Sequence, residues 1–168
     1  MKLTRVERAI LANQYRIFEF LDPKQSDSYK WVREVLECGY ELEYEQIFQE
    51  VYDDDNALTK EECSEVVNIM AMFEALNRSY DTLKDKSGIE KALIDFTGFD
   101  GNNESKQMAF ARFFCTAGSP RFQGLCKGDG FNSHMETLSR YRPMLVEWKR
   151  LKKSYQLTKE QIKQIIAV

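Results

Sequence analysis

A chain of 168 residues with 43% hydrophobic and 12% aromatic residues and only three prolines holds enough apolar material for one packed domain and is too aromatic for a disordered chain. No apolar run approaches the length needed to cross a bilayer, and the first six residues hold no long apolar stretch, so a soluble cytoplasmic protein is expected rather than a membrane protein. The net charge of −3 hides an asymmetry: residues 1–100 carry 22 Asp and Glu against 12 Lys and Arg, and residues 101–168 carry 5 against 12, a contrast that lets two regions or two subunits attract each other.

Thr4 and Glu7 form a capping box, and Val6, Ile10, Leu11, Ile17, Phe18 and Leu21 then recur at helical spacing until Pro23, which predicts a first helix over about 5–21. A second begins near Ser26 or Asp27, carries Tyr29, Val32, Val35 and Leu36, and meets Gly39, a residue suited to a left-handed cap. A third is expected through Leu42, Tyr44, Ile47, Phe48 and Val51, ending in the acidic run 53–55. Thr59 and Glu62 form a second capping box. Val66, Ile69, Phe73, Leu76, Tyr80 and Leu83 then step by three and four, predicting a long central helix over about 60–86 whose seam is a bundle core or a dimer interface.

A short helical piece through 89–94 leads into a glycine-rich segment between Phe96 and His134 that holds six of the eight glycines and ends on the only histidine. Within it, Asn103 can cap a helix with Glu104 in its first turn, and Met108, Ala111, Phe114 and Cys115 share a face. Ser133 and Glu136 form a third capping box, opening a helix through Leu138, Tyr141, Leu145 and Trp148 that Pro143 should kink or restart. Thr158 and Gln161 cap a last helix carrying Ile162, Ile165 and Ile166. No alternating strand pattern occurs. The expected fold is all-α and multihelical, with lobes at about 1–87 and 88–168 organised by the long helix and joined by the glycine-rich segment.

None of the chemical motifs is complete. Cys38, Cys63, Cys115 and Cys126 form no C-x-x-C pair, and the spacing of Cys115, Cys126, Asp129 and His134 matches no standard zinc site, so reduced thiols and no metal are expected. The acidic stretches at Asp54 and Asp100 lack the sixth-position glycine of a calcium loop. Gly124, Gly128 and Gly130 with Arg121 and Lys127 lack the strand and Gly-Lys-Ser/Thr ending of a nucleotide loop. His134 has no identifiable helper groups for base catalysis. Lys149, Arg150, Lys152 and Lys153 complement a helix C-terminus and come without a recognition helix or stacking aromatics for nucleic acid.

The blocks L-A-N-Q-Y at Leu11–Tyr15, Gly39-Tyr40, F-x-G-F-D at Phe96–Asp100, G-F-N at Gly130–Asn132 and Y-x-x-M-L-x-x-W at Tyr141–Trp148 make the chain similar to the YfbU family of bacterial proteins, along its whole length. The resemblance implies a multihelical, self-associating cytoplasmic protein with no established reaction, and it brings no catalytic residues with it.

The leading expectation is therefore a non-enzymatic, homo-oligomeric helical protein with a regulatory role, acting through protein contacts and needing no cofactor. Its candidate binding surface is Asp100, Arg121, Lys127, Asn132 and His134. The rivals are a small-molecule or anion-binding enzyme built on the same segment and a nucleic-acid-associated regulator using the basic C-terminal part.

Overall fold

The computed structural model describes residues 1–53, 55–118, 122, 124–125 and 130–168. These form eight α-helices with essentially no strand, and they fall into two compact units, Met1–Ala57 and Leu58–Val168. The division lies before the long helix rather than near residue 87. The reason is packing: the long helix finds its partners among the helices that follow it.

The first unit is a helical hairpin. Helix α1 (Arg5–Leu21) opens on the Thr4–Glu7 capping box, and α2 (Ser26–Cys38) closes on left-handed Gly39, both as expected. A 3-10 turn at Pro23–Gln25 joins them, and Asp22 caps that turn. The unit buries only Ala12, Val32, Val35, Leu36 and Tyr44, with Leu3, Leu11, Tyr15, Ile47 and Phe48 packed alongside. Arg33 reaches back to Glu19 (2.6 Å) and along its own helix to Glu37 (3.0 Å), tying the hairpin together. The expected third helix shrinks to α3 (Tyr44–Ile47) after a 3-10 turn at Glu41–Glu43. Leu42 is 88% exposed and Val51 is exposed as well, so the apolar pattern there lacks one inward face to hold a longer helix.

The second unit is built around α4 (Lys60–Thr82), which α5 (Lys91–Ile94), α6 (Ser105–Phe113), α7 (Leu138–Arg150) and α8 (Lys159–Ile166) surround. Val66, Ile69, Phe73 and Leu76 of the predicted seam are buried, and so are Met70, Ala71, Met72, Ala75 and Ser79. A helix buried on almost every side is a core element, which places the seam in the unit's own interior. It ends at Thr82 instead of Lys86, because Leu83 turns extended and the Asp85 carboxylate accepts the Ser87 N–H (2.9 Å), a local bond that competes with helix.

The start of α4 is set by the Thr59–Glu62 box, with the Glu62 N–H donating to Thr59 Oγ1 (3.2 Å) and the Thr59 N–H to Glu62 Oε2 (2.8 Å). Thr59→Ala is expected to destabilise the protein by about 1 kcal/mol, read as a lower urea midpoint with an unchanged slope. α8 opens on the analogous Thr158–Gln161 box and buries Ile162 and Ile165. α7 runs through Pro143 as one helix. No helix among the described residues is long and apolar enough to cross a membrane.

Candidate functional site

The glycine-rich segment is anchored by two short runs of backbone. The Phe99 N–H donates to the Phe131 carbonyl (2.9 Å) and the Ser133 N–H to the Phe99 carbonyl (3.0 Å), an isolated parallel bridge. Around it Phe73, Phe96, Phe99, Phe131 and Tyr141 stack, with ring centroids 4.8–6.2 Å apart. The Tyr141 hydroxyl lies 2.9 Å from Thr97 Oγ1 and accepts the Thr97 N–H (3.3 Å). This packing holds Phe131 at φ +75°, a backbone region that costs a non-glycine residue roughly 1–2 kcal/mol.

Glu104 is the hub. It is 4% exposed, and its Oε1 accepts the N–H groups of Thr137 (2.8 Å) and Leu138 (2.7 Å) while Oε2 accepts that of Asp100 (3.0 Å). Thr137 Oγ1 lies 2.8 Å from the same Oε2 and 3.1 Å from the Gly98 carbonyl, with one proton to serve both. Burial pushes the carboxyl pKa up, but the bonds from Leu138, Asp100 and Thr137 outweigh it and hold the group below its ordinary value. A carboxylate is thus delivered in trans to the positive N-terminus of α7.

That arrangement corrects two expectations. The Ser133–Glu136 box does not form: Ser133 Oγ donates to the Met135 carbonyl (2.6 Å), His134 is left-handed at φ +56°, and α7 starts later, at Thr137 and Leu138. Nor does Asn103 cap α6. Glu104 occupies the cap position without a side-chain bond to that helix, and the Asn103 amide donates to Asp100 Oδ2 (2.6 Å).

Of the five candidate surface residues, Asp100, Asn132 and His134 converge; Arg121 and Lys127 lie outside the described residues. Asn132 Oδ1 accepts from the Gly101 N–H (3.1 Å) and the His134 N–H (3.0 Å), so one amide fixes both arms. Asp100 is 3% exposed and belongs to the interior, not to the surface. Its carboxylate takes the Asn102 and Asn103 N–H groups (3.2 and 3.3 Å) besides the Asn103 amide. The Asn102 bond lowers its pKa most, against burial, and the bonds from Asn103 and the nearby His134 charge add to the lowering. The two carboxylates therefore act as anchors for backbone N–H groups. The His134 side chain remains exposed.

Glu104 and Thr137 were not among the candidates. Their contact spans 33 residues of sequence, and no local pattern announces it. The basic residues after Trp148 form a helix end: Lys152 and Lys153 are left-handed, the Lys153 N–H donates to the Trp148 carbonyl (3.0 Å), Lys153 Nζ to Asn68 Oδ1 (2.7 Å) and Arg150 to Glu147 (3.2 Å). No cluster of three His, Cys, Asp or Glu able to hold a metal ion occurs among the described residues, and Cys126 and Asp129 lie outside them. Against known families, residues 1–168 match the YfbU domain, so the whole chain belongs to that family.

Proposed function

We propose that this YfbU-family chain is a non-enzymatic cytoplasmic protein that works through protein–protein contacts, self-association among them, in a regulatory role. The observation that carries the reading is where apolar surface is left outside. Of the sixteen large hydrophobic residues exposed among the described residues, twelve lie within residues 1–57, a unit whose own buried core is five residues. Apolar surface concentrated in this way on a small unit marks a contact module. The anchoring role of Asp100, Glu104 and Asn132 agrees with it, since these polar groups are engaged with backbone rather than offered to a ligand.

Native capture of the tagged full-length protein alongside an untagged copy, read by mass spectrometry, tests the proposal. A stoichiometric protein, either the untagged chain or one reproducible partner, is the expected result. A retained small molecule with no stoichiometric protein would overturn it in favour of a metabolite-binding function.

A further inference from the structure

Helix α1 (Arg5–Leu21) is apolar on two opposite sides. Ala12, Leu11 and Tyr15 face the core of the first unit. On the other side Val6, Ile10, Asn13, Ile17 and Phe20 follow one another at spacings of four, three, four and three, with Leu21 beside Phe20. The apolar members of this outer stripe are 54–81% exposed. The charged residues of the helix, Arg5, Glu7, Arg8, Arg16 and Glu19, all fall outside it at about 100° per residue. A surface helix that only covers its own core needs one apolar face. The second face calls for another occupant.

We infer that the outer face of α1 is where two copies of this chain meet, antiparallel about a two-fold axis passing close to Asn13. The inference rests on the protein-contact reading and names its surface and its partner. The stripe runs apolar, apolar, Asn, apolar, apolar, the same pattern from either end. A two-fold interface must be complementary to itself, and antiparallel pairing of such a stripe sets apolar ends on apolar ends and Asn13 near its counterpart. A side-chain amide both donates and accepts, so it pairs with its own copy. A single polar position in an apolar seam also fixes register.

Area agrees with this occupant, and charge selects the face. At roughly 150–200 Å² for a fully accessible large apolar residue, the five apolar side chains leave roughly 600 Å² uncovered. With Ala9, Asn13 and Gln14 beside them, that meets the roughly 800 Å² each partner brings to a stable interface. Residues 1–57 carry 13 Asp and Glu against 7 Lys and Arg, so two copies repel each other elsewhere. The stripe is the neutral ground on which they can meet.

Size-exclusion chromatography with light scattering on the full-length protein is the test. Wild type is expected at twice the chain mass, and Ile17→Glu at the single-chain mass with an unchanged helical circular-dichroism spectrum. Under mild oxidant Asn13→Cys should give a disulfide-linked dimer well above the wild-type background, to which exposed Cys38 contributes, and this readout stands even if Ile17→Glu fails to fold. A wild-type dimer that Ile17→Glu leaves intact, or that Asn13→Cys does not crosslink above background, overturns the α1 axis and leaves self-association standing. A wild-type monomer at the highest soluble concentration overturns the second copy as occupant, and partner capture then decides the broader reading separately. A monomer whose melting temperature falls with Ile17→Glu overturns it too, by giving the stripe to the chain's own remaining residues.

Discussion

Gly98→Ala is expected to destabilise the protein by about 2–5 kcal/mol, enough to unfold a large fraction of a marginally stable domain. Two effects add. Gly98 sits at φ +94°, where an L side chain is strained by roughly 1–2 kcal/mol. A Cβ there would lie 2.1 Å from the Phe131 carbonyl oxygen and 2.8 Å from its Cα, and displacing backbone in a packed site typically costs about 1–3 kcal/mol more. The Phe131 carbonyl cannot retreat without breaking its bond from the Phe99 N–H. Gly88 provides the internal control: it too has positive φ, at +71°, but the atom a Cβ would meet is the flexible Nζ of Lys163. Gly88→Ala should therefore show only the strain of about 1–2 kcal/mol. Equal urea midpoints for the two variants would show that the Phe99–Phe131 hydrogen bond yields freely.

Glu104→Gln should destabilise by about 3 kcal/mol, although it removes no volume. The carboxylate serves three backbone N–H groups and the Thr137 hydroxyl with two acceptor atoms. An amide keeps one acceptor and turns two donors toward donors, orphaning buried groups at roughly 1–3 kcal/mol each. The pH dependence follows the same chemistry. Because the folded carboxyl titrates below its unfolded value of about 4.3, its contribution is complete above that pH and is lost as the pH falls through the folded value. Wild-type stability should fall steeply below about pH 4, and the Gln variant, already weaker at neutral pH, should fall less. Parallel pH profiles for the two proteins would remove Glu104 from the acid response.

What could be read from sequence follows how far each interaction reaches. α1, α2 and the Thr4, Thr59 and Thr158 capping boxes rest on contacts within four residues, and they stand where local pattern puts them. Ser133 and Glu136 have the same spacing, yet a carboxylate from residue 104 takes over the start of α7, and nothing local records that competition. In α1 the apolar positions 6, 10, 11, 17, 18 and 21 look like one periodic set; the fold sorts them onto different sides, because only some face α2. The glycine-rich setting groups Asp100, Arg121, Lys127, Asn132 and His134 as one candidate surface. That Asp100 and Asn132 hold backbone in place is not legible there, since burial and bonding direction emerge only when 97–104 meets 130–138.

The clamp between Glu104 and the start of α7 also orders events in time. The α1–α2 hairpin closes over a three-residue turn, and contacts so local form in microseconds. The second unit must instead join positions 33 residues apart and wait for Tyr141 to complete the ring cluster around Phe73 and Phe96, a loop closure that slows the search. During synthesis the amino-terminal hairpin leaves the ribosome before residues 104 and 137 can meet. Every contact that α1 and α2 need is therefore in hand before the second unit can close its core.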